Sequence, residues 1–332
     1  MMNRREILQA GVASFAGMEF ARLALSPAAA QAKYPERAIK LVIPFSPGGV
    51  TDIVGRHWTE RMKPHLGTFY IENQGGGGGT IGATEVARAQ PDGYTVLLGN
   101  TSVVVLNPMT SPRPTYDPVK DFAPIGIISV ASVALVVHQS VPVKTLAEFV
   151  AYAKANAGKL SYGSAGTGTM TQLAAEQFKQ ATGLADLVHV PYKGAGPGIA
   201  DLVSGHIPAM TPNVTGQVLE FHKAGKVRIL AVFAPQRLKG APDIPTAIEA
   251  GFPNQVGQLF VGVFVPSATP RPIVEQIAAA HHKVMADGEF QKILIASGLE
   301  PVNDTPEQAR KYLADESARW APVVKAIGLK ME

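Results

Sequence analysis

Three observations predict an α/β fold in two domains. The chain has 332 residues, 46% of them hydrophobic and 17% charged, which is enough for two cores of roughly 150 residues each. After residue 32, short apolar runs alternate with helix-length segments, the pattern of an α/β fold with mostly parallel sheets. Two strand-to-helix junctions also carry Gly-bearing loops, one in each half. Composition excludes disorder, collagen and coiled coil. A net charge of +4, with a mean hydropathy of +0.10, is too small and too scattered for a nucleic-acid partner. The absence of cysteine removes disulfides, thiol nucleophiles and Cys-ligated zinc together.

Residues 1–32 read as an export signal. Arg4-Arg5 precede a charge-free stretch from Ile7 to Met18, and its length of about 12 residues falls short of the roughly 20 a membrane span needs. Ala30-Gln31-Ala32 supplies a small-residue cleavage site. The paired arginines resemble a twin-arginine signal, and a general secretory signal fits as well. Either delivers the chain to the periplasm, cleaved near Ala32.

In chain order, Ala38–Pro44 is a buried strand and Thr51–His65 the helix after it. Thr68–Glu72 is a strand, Gly75–Gly79 a loop and Thr80–Ala89 a helix. The turn Pro91-Asp92-Gly93 leads into the strand Tyr94–Leu98. Ile125–Val130 and Val133–His138 are strands in immediate succession, with too little chain between them for a helix, so the chain crosses there from one sheet to the other. Leu146–Ala157 is a helix, Leu160–Tyr162 a strand, Thr169–Thr182 a helix and His189–Tyr192 a strand. Gly198–Ser204 is a helix, Val227–Phe233 a strand, and Ile244-Pro245-Thr246 opens a short helix. Leu259–Val265, Ile273–Asp287, Phe290–Ser297 and Pro306–Ile327 complete the chain as one strand and three helices. The implied domains are 33–131 with 255–332, and 132–254.

The two loops are Pro44-Phe45-Ser46-Pro47-Gly48-Gly49 before Thr51-Asp52, and Gly163-Ser164-Ala165-Gly166-Thr167-Gly168 before Thr169. Each lies at a helix N-terminus, where backbone N–H groups lack internal partners and the dipole supplies about half a positive charge. As a pair they read as opposing walls of one anion-binding cleft.

Other motifs fail. Gly77 to Gly82 satisfies G-x-G-x-x-G, but the next strand ends in Gly99-Asn100 without the carboxylate a dinucleotide ribose requires. Ser164 follows Tyr162-Gly163, so the G-x-S-x-G elbow is absent. The eight histidines show no ligand spacing. No enzyme constellation, metal site or cofactor is expected.

The residues do carry a family resemblance. Pro44-Phe45-Ser46-Pro47-Gly48-Gly49-Val50-Thr51-Asp52, Glu72-Asn73-Gln74 with the glycines, Pro91-Asp92-Gly93-Tyr94-Thr95, Tyr162 to Gly168, and His189-Val190-Pro191-Tyr192-Lys193-Gly194 with Asp201-Leu202 and Gly205 occur in order. Together with Asp243-Ile244-Pro245-Thr246 they resemble the substrate-binding proteins of tripartite tricarboxylate transporters, the Bug family. The resemblance implies a two-domain type II periplasmic binding protein, with its ligand cleft between the domains. It also implies a small organic carboxylate ligand, a membrane transporter as partner and a monomer. By position, the gripping loops are Phe45–Asp52 and Ser164–Gly168. N–H groups of Gly48, Gly49 and Thr51, with the Thr51 hydroxyl, are expected to meet one carboxylate oxygen. Ser164, Ala165, Gly166 and Thr169 are expected to meet the other, directly or through water. Ser46 belongs to the first loop, Phe45 covers the apolar part, and Tyr192 and Asn213 contact the far end. Asp52 and Asp201 are expected to cap, or to bind an ammonium or hydroxyl on the ligand. Gln172, where the family commonly has His, and Thr211-Pro212 depart from the pattern. An enzyme on the same scaffold, or a sensory ligand-presenter, remains an alternative.

Overall fold

The computed structural model describes residues 34–328; the signal expected over 1–32 lies outside the described residues. The chain begins β1 (Ile39–Ile43), α1 (Val50–Leu66), β2 (Phe69–Asn73), α2 (Thr80–Ala87), β3 (Thr95–Asn100), α3 (Asn107–Thr110), α4 (Pro118–Asp121), β4 (Phe122–Ser132) and β5 (Ala134–His138). It continues α5 (Leu146–Ala155), β6 (Ser161–Ser164), α6 (Met170–Thr182), β7 (Val188–Pro191), α7 (Ala195–Val203), β8 (Ala209–Met210), α8 (Gly216–Lys223) and β9 (Val227–Val232). The last elements are β10 (Gln258–Pro266), α9 (Arg271–Met285), α10 (Gly288–Ala296), β11 (Leu299–Pro301) and α11 (Pro306–Ile327).

Two sheets form. One has the order β11-β4-β10-β3-β1-β2, the other β7-β6-β8-β5-β9. They are mixed rather than mostly parallel. β1 is parallel to β2 and β3, and β6 to β7 and β8. β10 and β5, which border the crossings, are antiparallel to their neighbours. A strand that leaves one sheet directly for the other has no crossover helix to reverse it, and a parallel pairing needs one.

The crossings are tied together. β4 passes to β5 through Val133 alone, and the chain returns between β9 and β10. Val133 N–H donates to Gly257 O at 2.8 Å, Phe233 N–H to Val133 O at 2.7 Å, and Gly257 N–H to Phe233 O at 2.9 Å. This ring of backbone bonds joins the two connections side by side.

The helix that carries the first loop is anchored by its own spacing. Val50, Val54, Trp58, Met62 and Leu66 are buried along one stripe of α1, the i, i+4 pattern of a core-facing helix. Trp58 packs edge-on against Phe69, and its indole N–H donates to His281 Nδ1 at 3.1 Å. The start of α1 is therefore fixed by burial at several successive turns.

Local expectations changed in several places. The helix expected from Ile244 is absent, because Val232 N–H bonds Pro245 O and Ala247 N–H bonds Val232 O, which draws this segment into a bridge beside β9. α7 starts at Ala195, one turn before the expected Gly198. A π-helical turn, Ser102–Leu106, follows β3 and runs into α3; its run of Val and Leu carried no helical period. α4, α8 and β11 were also unanticipated.

Candidate ligand-binding cleft

The C-terminal ends of β1 and β3 in one sheet, and of β6 and β8 in the other, deliver their following loops to a shared cavity, the usual place for ligands in parallel α/β sheets. From the first sheet come Phe45, Gly49, Val50, Thr51, Asn100, Ser102 and Leu259. The facing side supplies Ala165, Thr169, Thr171, Ala195 and Asn213. The cavity measures about 20 Å³, room for the centre of one or two waters.

The first wall is an open helix terminus. Gly49 is the N-cap of α1 in extended conformation, and no side chain caps the helix. The first bond of α1 is Ile53 N–H to Gly49 O at 3.0 Å, so Val50 and Thr51, which line the cavity, keep first-turn N–H groups without a partner in the helix. Thr51 is 2% exposed. Its Oγ1 accepts from Asn100 Nδ2 at 3.0 Å, while Asn100 Oδ1 accepts the Val103 N–H at 3.2 Å. With the amide so oriented, the Thr51 hydroxyl proton is free to donate.

Asp52 secures the loop rather than the ligand. Its carboxylate accepts the Gly48 N–H at 3.0 Å, Arg56 Nε and Nη2 at 3.0 and 2.9 Å, and Asn73 Nδ2 at 3.0 Å. Burial opposes its ionisation, but these bonds prevail and hold its pKa below the ordinary carboxylate value. The Gly48 N–H, expected on the ligand, is thus used inside the loop. Gly48 has φ +88°, a conformation that favours glycine. Asn73 also holds the loop by donating to Phe45 O at 3.0 Å.

The second wall is closed on itself. Ala165 N–H donates to Thr171 Oγ1 at 2.9 Å, Gly166 N–H to Ser164 Oγ at 3.1 Å, and Gly168 N–H to Gln172 Oε1 at 2.8 Å. Thr169 caps α6 through the Gln172 N–H, and its hydroxyl donates to Gly166 O at 2.7 Å. Ser164 is fully buried, does not line the cavity, and lies 2.7 Å from His189 Nε2. His189 stacks on Tyr162 and meets Gln172 Nε2 through Nδ1 at 3.2 Å. Burial lowers its pKa to about 4, so the ring is neutral at pH 7. The Ala165 and Gly166 amides and the Ser164 hydroxyl, expected to meet an oxygen directly or through water, are bonded within the loop.

Tyr192 and Asp201 pair with each other. The Tyr192 hydroxyl donates to Asp201 Oδ2 at 2.7 Å, and His206 Nδ1 lies 3.3 Å from Oδ1; neither residue lines the cavity. Tyr192, expected at the far end of the ligand, and Asp201 thus lie outside this lining and bond to each other. Ser46 does not line it either: its N–H donates to Lys193 O at 3.0 Å. Asn213 does, at 4% exposure, with its amide Nδ2 buried and unpartnered. Asn213 shares the cavity with Gly49 and Thr51 rather than marking a remote end.

Asn100, Ser102, Thr171, Ala195 and Leu259 escaped the sequence reading. Asn100 had a usable signal, since it ends a strand parallel to β1 and so lies beside the first loop. Ser102 had none: its Oγ accepts the Met170 N–H at 3.0 Å, a bond from one sheet's side to the other.

The walls also touch beside the cavity. A Cβ on Gly196 would fall 1.9 Å from Pro47 O, and one on Gly194 2.8 Å from Ser46 N. Only glycines permit this approach.

Two lobes joined by paired crossings, with helix N-termini converging on a small cavity, define a solute-binding receptor of the periplasmic binding protein class. The chain belongs to the tripartite tricarboxylate transporter receptor family TctC, whose model matches residues 54–329. It is 31% identical over 301 residues to protein BugT of Bordetella pertussis, covering 90% of this chain and 92% of that one. The periplasmic binding protein BugD is 33% identical with a TM-score of 0.86, covering 90% of this chain and 100% of its own. A protein of R. palustris determined with adipate is 32% identical with a TM-score of 0.85, covering 90% and 99%. Among the described residues no helix is long and apolar enough to cross a membrane.

Proposed function

We propose that this chain is an exported receptor that captures a small organic carboxylate and delivers it to a tripartite membrane transporter. One observation carries the reading: the uncapped N-terminus of α1 and Asn213, whose amide is buried and unpartnered, line the same cavity. Donors so placed are costly to leave unmatched and favour an anion. The R. palustris relative with adipate supports the ligand class, and the family model supports the partner. Residues 33–131 with 255–332 and residues 132–254 act as two domains. They close on the ligand by rotation at the ring of Val133, Phe233 and Gly257, the hinge motion of such receptors. The protein acts as a monomer outside the cytoplasmic membrane, with residues 1–32 as its export signal.

A thermal-shift panel of mono-, di- and tricarboxylates against matched amides tests the binding step. A ligand at a hundred times its Kd stabilises by about 2.7 kcal/mol. A panel in which amides shift the melting temperature as much as acids overturns the carboxylate reading, and turnover of any acid overturns the receptor reading. Delivery is tested by deleting the gene, with loss of uptake of the bound acid as the expected result.

A further inference from the structure

We infer that the ligand carboxylate is held on the facing side by the open N-terminus of α7 together with Asn213, and not by the loop before α6, so that the anion bridges the two lobes. The inference rests on the proposed carboxylate reading and adds the second half of its seat.

Three helices begin at the cleft, and their starts differ in what remains free. The start of α6 is occupied. The Gln172 N–H donates to its cap Thr169 at 3.4 Å, and the Met170 N–H to Ser102 Oγ, from the other sheet's side, at 3.0 Å. The Ala165, Gly166 and Gly168 amides of the preceding loop are taken by Thr171, Ser164 and Gln172. Neither α1 nor α7 has a side-chain cap. Val50 and Thr51 in one, and Ala195 and Gly196 in the other, keep first-turn N–H groups without a partner in their helix.

The two open starts abut. A Cβ on Gly49, the cap of α1, would lie 3.6 Å from Ala195 N, and one on Gly48 3.3 Å from Gly196 Cα. Gly49, Thr51 and Ala195 line the same cavity. Each helix start is equivalent to roughly half a positive charge, and two like poles this close repel unless an anion lies between them. Asn213 lines the cavity on the facing side, at 4% exposure and with Nδ2 unpartnered. Its backbone is pinned at the crossing by a bridge to Val133, with Ala134 N–H donating to Pro212 O at 3.0 Å and Val214 N–H to Ser132 O at 2.8 Å. A buried donor without an acceptor is costly. A carboxylate, with about four lone-pair sites, accepts from both helix starts and from Asn213 at once. Because α1 and α7 belong to different lobes, an anion bonded to both also holds the lobes together.

Calorimetric titration of the full-length chain at pH 7 with hexanoate, succinate and adipate, and hydrogen–deuterium exchange with the tightest binder of the three, test the bridge. Asn213→Asp and Ala195→Asp set a carboxylate at the α7 end, and each is expected to bind at least tenfold more weakly. Ala195→Asn, of the same shape without the charge, is expected to lose less. In the wild-type chain the acid is expected to slow exchange of the Ala195 and Gly196 amides as well as those of Val50 and Thr51. A folded Asp variant that binds within threefold of wild type overturns the α7 half of the seat and leaves the carboxylate reading standing. Protection of Val50 and Thr51 without Ala195 and Gly196 does the same. No binding of any of the three acids overturns the carboxylate reading and the inference with it. Melting temperatures identify the folded variants; should Ala195→Asp not fold, Asn213→Asp and the wild-type exchange decide.

Discussion

Gly49→Asp places a carboxylate where the ligand's own should sit. Gly49 is the N-cap of α1 at φ −85° and ψ 170°, the extended geometry in which an Asp side chain accepts the N–H of the second or third helical residue. A Cβ there meets Ala195 Cβ at 3.5 Å and Ala195 N at 3.6 Å, ordinary contacts that require no rearrangement. The fold should therefore be untouched or gain a few tenths of a kcal/mol from the better cap. Binding should suffer. Taking the Thr51 N–H from the ligand removes one charge-assisted bond, about 1.5–3 kcal/mol. That is a rise in Kd of about 10–10²-fold, to which repulsion between the two carboxylates adds. The assay is calorimetric titration with the tightest-binding acid of the carboxylate panel, beside thermal unfolding of the free protein. Gly49→Asn has the same shape and capping ability without the charge, and its loss should be smaller. A Gly49→Asp protein with wild-type melting temperature that binds within threefold of wild type would refute the α1 seat.

Three further outcomes follow from the geometry. Gly196→Ala puts a methyl 1.9 Å from Pro47 O, so the walls cannot meet; acid affinity is expected to fall at least tenfold while circular dichroism and melting temperature stay near wild type, and unchanged affinity would show that this contact is not needed for capture. Ser164→Ala leaves the Gly166 N–H and the His189 ring without their hydroxyl partner; it is expected to cost about 1–3 kcal/mol of stability in chemical denaturation, with a smaller effect on affinity than Gly49→Asp. Burial lowers the pKa of His189 and His281 to about 4. The unfolded chain takes up protons at these rings near pH 6.5 and the folded chain resists, so stability falls as pH drops through that window, by about 3 kcal/mol for the fully buried His281. Asp304 works the other way: burial raises its pKa to about 6, so its contribution is present below about pH 4 and lost as pH rises through 6. Asp304→Asn should therefore steepen the acid loss of melting temperature, and a shallower loss would contradict this assignment.

Much of the frame was legible in the chain. The stripe from Val50 to Leu66 determined α1, because a 3.6-residue period leaves few other ways to bury it. Pro306–Ile327 could be bounded to the residue, since Thr305 and Gln308 form a capping box there and such boxes are local in sequence. The immediate succession of β4 and β5 announced a crossing, because no helix fits between them. Both Gly-bearing loops were placed at helix starts by the same local logic. Which N–H groups in those loops stay free was not local. Asp52, itself held by Arg56 and Asn73, accepts the Gly48 amide, the second loop closes through His189 from β7, and Ser102 reaches Met170 from the opposite sheet. Hydrogen-bond donors are assigned by whatever acceptor the fold brings within about 3 Å, and these partners lie up to 68 residues apart in the chain. The sequence alone indicated two helix starts carrying Gly-bearing loops; only tertiary packing decided that the start of α1 has no side-chain cap while that of α6 is filled by Thr169 and by Ser102 from the opposite sheet.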